Sequence, residues 1–169
     1  MARSVSFGMR CFAPTLLFLV LLSACNAPDT FSEADQQRVA AEVDSMLHAY
    51  LDAMREGGLE AEFAYLDSTD AFFWVPPGYN SWISYDSVAV VLRATAPTLR
   101  SMDYRWQSLR IDPISEDRAI YTGTLSGAVT DTSGHVTNLS IIETGTVIRR
   151  EDGWKLLNGQ SAVLPAPDR

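Results

Sequence analysis

Val136–Val163, VTNLSIIETGTVIRREDGWKLLNGQSAV, decides the fold. Both halves have alternating or β-rich content, and they meet at Glu151-Asp152-Gly153, a charged turn containing glycine. The stretch therefore reads as two strands, 136–149 and 153–163, folded back on each other as an antiparallel hairpin. Upstream, Asp131-Thr132-Ser133-Gly134 has the same turn chemistry and ends another β-rich run over 118–130. A fourth run covers 102–112, so at least the last three strands are expected to form an antiparallel meander.

Before Ser101 the period changes. Val39, Val43, Met46, Leu47, Tyr50, Leu51 and Met54 recur at helical spacing, and Gly57-Gly58 stops the pattern. Ser32 followed three residues on by Asp35 resembles a capping box with Asp in place of Glu. Leu59 to Leu66 suits a short second helix, Asp67 to Asp70 reads as a turn, and Ala71 to Val75 as a short strand ended by Pro76-Pro77-Gly78. Ser84 or Asp86 caps a third helix whose buried side is Val88, Val91 and Leu92, with Pro97 beyond its end. Helices first and strands afterwards predict an α+β fold, with about three N-terminal helices packed on one face of a curved antiparallel sheet.

Two segments resemble the nuclear transport factor 2-like superfamily, in particular its SnoaL-like and ketosteroid isomerase-like members. One is Tyr50-Leu51-Asp52-Ala53-Met54-Arg55-Glu56-Gly57-Gly58 with Tyr65-Leu66-Asp67 and Phe72-Phe73-Trp74-Val75-Pro76-Pro77-Gly78. The other runs from Thr144 through Arg149-Arg150-Glu151-Asp152-Gly153-Trp154-Lys155-Leu156-Leu157 to Gln160-Ser161. The similarity spans Glu33 to Val163. It implies a cone-shaped, cystatin-like fold in which a strongly bent sheet wraps a long helix and leaves a pocket at the wide end.

The N-terminus is of another kind. Arg3 and Arg10 precede an apolar run from Phe12 to Leu22, too short for the ~20 residues of a membrane-spanning helix and suited to an export signal. Leu22-Ser23-Ala24-Cys25 resembles the bacterial lipobox, which implies cleavage before Cys25 and diacylglycerol and acyl chains on that residue. The expected organisation is a signal over 1–24, a lipidated tether over 25–31, one domain over 32–164 and a tail over 165–169. Asn26 after the lipidated cysteine implies the outer membrane, periplasmic side, if the source is Gram-negative.

Cys11 and Cys25 are the two cysteines, one lost with the signal and the other taken by lipid, which excludes disulfide and thiol chemistry in the mature domain. Acids outnumber Lys and Arg by 21 to 13, so the surface repels phosphate backbones and anionic headgroups, and nucleic acid is not an expected partner. His48 and His135 lack partners at metal-ligand spacing, and no phosphate loop or nucleophile elbow is present, so neither a metal nor another cofactor is expected.

In a cone of this kind, helix 1 and alternate strand residues line the interior. Tyr50, Tyr65, Trp74, Tyr104, Trp106, Glu143 and Gln160 are therefore the pocket candidates, unless the aromatics are simply core. Glu143 lies in the apolar run Ile141-Ile142-Glu143-Thr144 and points either to water or into the cone; inside, burial would raise its pKa and suit it to acid/base work. A ketosteroid isomerase needs an Asp base opposite a Tyr and a neutral Asp. Tyr50 can stand for the Tyr, but Asp103 and Asp112 fall at strand ends and 118–130 has no interior acid, so the acids find no match.

These readings converge on a membrane-anchored SnoaL-like domain that binds a small hydrophobic molecule, without an assignable activity. Two alternatives stay open. One is an isomerase, cyclase or hydrolase acting on such a molecule through Glu143 or Tyr50; the other is a homodimeric interaction module using the outer sheet face.

Overall fold

The computed structural model describes residues 31–165. The signal segment, Cys25, the tether as far as Thr30 and the tail from Ala166 lie outside the described residues.

Helix α1, Glu33–Gly57, begins at Ser32, whose Oγ accepts from the Asp35 N–H at 3.2 Å while Asp35 accepts from the Ser32 N–H at 3.2 Å. The short side chain of Asp35 completes the capping box as well as Glu would. The seven apolar positions read from the spacing are the buried face. The helix stops at Gly58, which holds φ 79° and donates to the Met54 carbonyl, a conformation strained for residues with a Cβ.

Next comes a 3-10 helix, Leu59–Ala64, tighter and shorter than the helix predicted to Leu66. The chain then runs beside the last strand. Leu66 forms a parallel bridge with Leu156, and backbone bonds join Asp67 to Leu156 and Leu156 to Tyr65. Asp67, read from the sequence as a turn residue, is buried. It is 3% exposed and takes two of the three Arg150 side-chain nitrogens, Nη2 at 2.6 Å and Nε at 3.3 Å, together with the Thr69 hydroxyl at 2.9 Å. A carboxylate this buried is tolerable because three donors and one cation satisfy it.

Strand β1, Phe73–Val75, pairs antiparallel with β2, Ile83–Ser84, and parallel with the last strand. Helix α2, Tyr85–Thr95, is capped by Ser84 and followed by a 3-10 turn over Ala96–Thr98. Four long strands complete the fold: β3 Leu99–Ser115, β4 Arg118–Asp131, β5 Val136–Arg150 and β6 Gly153–Val163. The sheet order is β2-β1-β6-β5-β4-β3, a four-stranded meander extended at the β6 edge by the parallel β1.

The sheet curves around α1, and close packing at glycines accompanies the bend. A methyl group on Gly159 would lie 2.4 Å from the Thr144 carbonyl oxygen and 2.7 Å from the Trp74 ring; on Gly127 it would lie 1.9 Å from that of Asp103. Bulges in the β3–β4 and β5–β6 ladders add local twist. The core lies between α1 and the concave face, with Tyr121, Leu47 and Leu156 among its largest fully enclosed side chains. No described helix is long and apolar enough to cross a membrane.

Candidate functional site

A cavity of about 240 Å³ opens between α1, the 3-10 helix, α2 and the concave sheet face. Its walls are mostly apolar: Leu51 and Met54 from α1, Val88 and Leu92 from α2, and Leu125 and Ile141 from the sheet. Pro76 and Pro77, which end β1, form part of the rim. Into this lining project two carboxyl groups, Glu62 and Glu143.

Glu143 sits on β5 opposite Gly123 of β4 and Ser161 of β6, two small neighbours that leave room for its carboxyl group. Diagonally across the β4–β5 ladder, Tyr121 donates to Oε1 at 2.6 Å. Ser161 donates to Oε2 at 3.1 Å and accepts the Trp74 indole N–H at 3.0 Å, so its own hydrogen is directed at the carboxylate. Glu143 is 7% exposed. Burial pushes its pKa up, opposed by the bonds from Tyr121 and Ser161.

Glu62 occupies the cavity-facing side of the 3-10 helix, where Tyr50 of α1 donates to its Oε1 at 3.0 Å. Its carboxyl pKa is raised to about 7, chiefly by burial and also by the negative charge of Glu143, against the lowering effect of the Tyr50 bond. The phenols of Tyr50 and Tyr121 are pushed well above their ordinary range, first by burial and then by the neighbouring carboxylates, so both remain neutral donors. The site thus holds a carboxyl gripped by two hydroxyl donors and, on the same apolar wall, a second carboxyl poised to exchange a proton near neutral pH.

Of the residues singled out in the sequence, Tyr50, Trp74, Tyr104 and Glu143 stand on the cavity wall. Tyr65 does not. It packs edge-on against the outer side of Tyr50, with ring centroids 5.7 Å apart. Trp106 is also one layer away, its N–H bonded to the Leu47 carbonyl at 3.1 Å and its ring against the edge of Tyr121. Gln160 is exposed on the outward face, and Ser161 takes the inward place. The cause is a bulge in β6: Val147 pairs with Leu156 but Thr146 with Asn158, so Leu157 is extra and the facing parity shifts by one. Among the described residues no group of three or more His, Cys, Asp or Glu is arranged to hold a metal ion.

Sequence reasoning missed Glu62, Tyr121 and Ser161. Glu62 carried a usable signal, since it follows Leu59 by three residues and precedes Leu66 by four, which puts an acid on the apolar side of a helical turn.

The model of the SnoaL-like domain family matches residues 43–166. No relative was found by sequence among curated proteins. Among solved structures, a putative scytalone dehydratase from Novosphingobium aromaticivorans superposes with a TM-score of 0.70 at 14% identity, covering 82% of this chain and 92% of that one. A nuclear transport factor 2-like superfamily protein from Salmonella enterica serovar Typhimurium gives 0.65 at 10% identity, over 78% and 95%. A ketosteroid isomerase-like protein from Erwinia carotovora atroseptica gives 0.59 at 22% identity, over 75% and 96%. These likenesses establish a shared fold and leave the chemistry to each protein's own residues. With the family match covering most of the chain and the same cone recurring in its structural neighbours, the protein belongs to the SnoaL-like domain family and has the nuclear transport factor 2-like fold.

Proposed function

We propose that the cavity binds a small hydrophobic molecule and that Glu62 moves a proton to or from it. The observation that carries this reading is the placement of Glu62 and Glu143 on one apolar wall, with Glu62 held near the pH at which it can both give and accept a proton. Glu143, gripped by Tyr121 and Ser161, faces the same cavity, and Tyr50 orients Glu62. Two structural neighbours are described as a putative scytalone dehydratase and as a ketosteroid isomerase-like protein, and this supports a reaction of that kind. The test is native mass spectrometry of the full chain against the denatured protein, followed by incubation of any released molecule with wild type and Glu62→Gln. A copurified hydrophobic molecule converted by wild type and left unchanged by the variant is the expected result. Equal conversion by both rules out Glu62.

The lipobox supports a place for this domain in the bacterial cell envelope, with acylated Cys25 as anchor. Cys25→Ala should move the protein from the membrane to the soluble fraction and abolish labelling by radioactive palmitate. A variant that stays with the membrane and keeps the label overturns the anchor.

A homodimer is favoured by one observation. On the outward sheet face Ile120, Thr122, Thr124, Ile142, Thr144, Gln160 and Ala162 form an uncharged surface in a chain that carries 34 Asp, Glu, Lys and Arg residues, and Ile120 and Ile142 are 42% and 41% exposed on it. Light scattering should give twice the chain mass, falling to one for Ile142→Glu; a wild-type monomer overturns the dimer.

A further inference from the structure

We propose that the ligand of this cavity is a small hydrophobic amine, held through its ammonium group between Glu62 and Glu143. This rests on the reading of the cavity as a binding site and adds the charge of what it binds.

The cavity contains acids without bases. Among the described residues no Lys, Arg or His lines it, although elsewhere in the fold acids take cationic partners, as Asp67 does with Arg150 and Glu42 with Arg149. Among the described residues every side-chain hydrogen bond to Glu62 or Glu143 comes from a neutral hydroxyl: Tyr50, Tyr121 or Ser161. Hydroxyl donors orient a carboxylate but leave its charge in place. Two such groups on one apolar cavity wall repel each other whenever Glu62 is ionised, and an added cation would relieve that repulsion. An anionic ligand would deepen that repulsion, and a neutral one would leave it unchanged.

The rest of the wall fits the same class. Tyr50, Trp74 and Tyr104 offer aromatic rings to a cation, and the aliphatic lining suits a hydrocarbon body. The volume, about 240 Å³, lies below the ~300–1,000 Å³ usual for ligand pockets, which limits the body to one ring system with a short arm. The formal charge of −8 draws cations to the molecule and disfavours anions.

Three indole probes of matched shape test the proposal by calorimetric titration of the full chain: tryptamine, tryptophol and indole-3-acetate. Tryptamine should bind about tenfold tighter than tryptophol or better, and indole-3-acetate should not bind measurably. Glu62→Gln and Glu143→Gln should each reduce the preference for tryptamine over tryptophol, and the use of both, checked for folding by circular dichroism, guards against one variant failing to fold. Equal affinity for tryptamine and tryptophol overturns the amine while leaving a hydrophobic pocket standing. Preference for indole-3-acetate overturns the amine in the same way. Failure of all three to bind overturns the binding reading itself and the amine with it.

Discussion

Tyr50 and Glu62, twelve residues apart, meet through a phenol-to-carboxyl hydrogen bond of 3.0 Å that ties the long first helix to the 3-10 turn after it. Tyr50 is 6% exposed and cannot ionise in any ordinary pH range, so the bond always has the phenol as donor. Donation stabilises the charged form of Glu62, against burial, which favours the neutral form.

Removing that donor has a definite sign. In Tyr50→Phe the carboxyl of Glu62 loses the interaction that lowers its pKa, so its titration midpoint should move above the wild-type value of about 7. Carbon-13 NMR titration of the Glu side chains measures this directly. A midpoint unchanged or lowered would mean that the phenol does not hold the carboxylate.

Stability should depend on pH through the same group. An unfolded chain releases the Glu62 proton near 4.5, whereas the folded protein keeps it until about 7. Between those values the folded state binds the extra proton, so stability falls as pH rises through the window and levels off above it. The slope approaches about 1.4 kcal/mol per pH unit, or at most about 3 kcal/mol in all. Urea unfolding of wild type and Glu62→Gln at pH 5 and pH 8 isolates this contribution, since Glu143 acts in both. The variant should show the smaller loss between the two conditions.

The Asp67–Arg150 pair is unequal in exposure, 4% against 36% for the side chains. Arg150→Ala strands a buried carboxylate with Thr69 as its remaining side-chain donor, and should cost about 3–5 kcal/mol. Asp67→Ala leaves a guanidinium that water can reach, and should cost less, about 1–3 kcal/mol. Denaturant midpoints of the two variants give the order; the reverse order would show that the arginine is the desolvated partner.

At Gly159 the prediction concerns shape. Alanine there would push on the Trp74 ring and on the Thr144 carbonyl, and should destabilise by about 1–3 kcal/mol. It should also break the Trp74–Ser161 bond and so weaken the binding of any cavity ligand. Unfolding curves and probe titration check the two effects separately.

The meander and α1 were legible because long elements repeat their period many times: seven buried positions on α1, and sustained alternation on β4 and β5. Elements of two or three residues have no period to read, which hid β2 and the parallel pairing of β1 with β6. The β-rich run reads as far as 112, but β3 is a sheet edge, where proline is tolerated, and the strand continues through Pro113 to Ser115. In the site, Glu143 could be named but its direction could not, because facing is settled by register, not by local sequence. Gln160 and Ser161 exchanged roles for the related reason that a single bulge reverses parity. Tyr121 was hidden in an apolar alternation whose partner was known only once β4 and β5 were aligned.

The parallel seam between β1 and β6 has a consequence for how the molecule tolerates being cut. Cleavage in the turn Asp131 to Gly134 between β4 and β5 would divide Glu62 from Glu143 into separate polypeptides. The pieces would still share the whole β4–β5 ladder, the β1–β6 pairing and the Asp67–Arg150 clamp. Nicked there, the two pieces should stay associated through these contacts, which gel filtration after limited proteolysis measures.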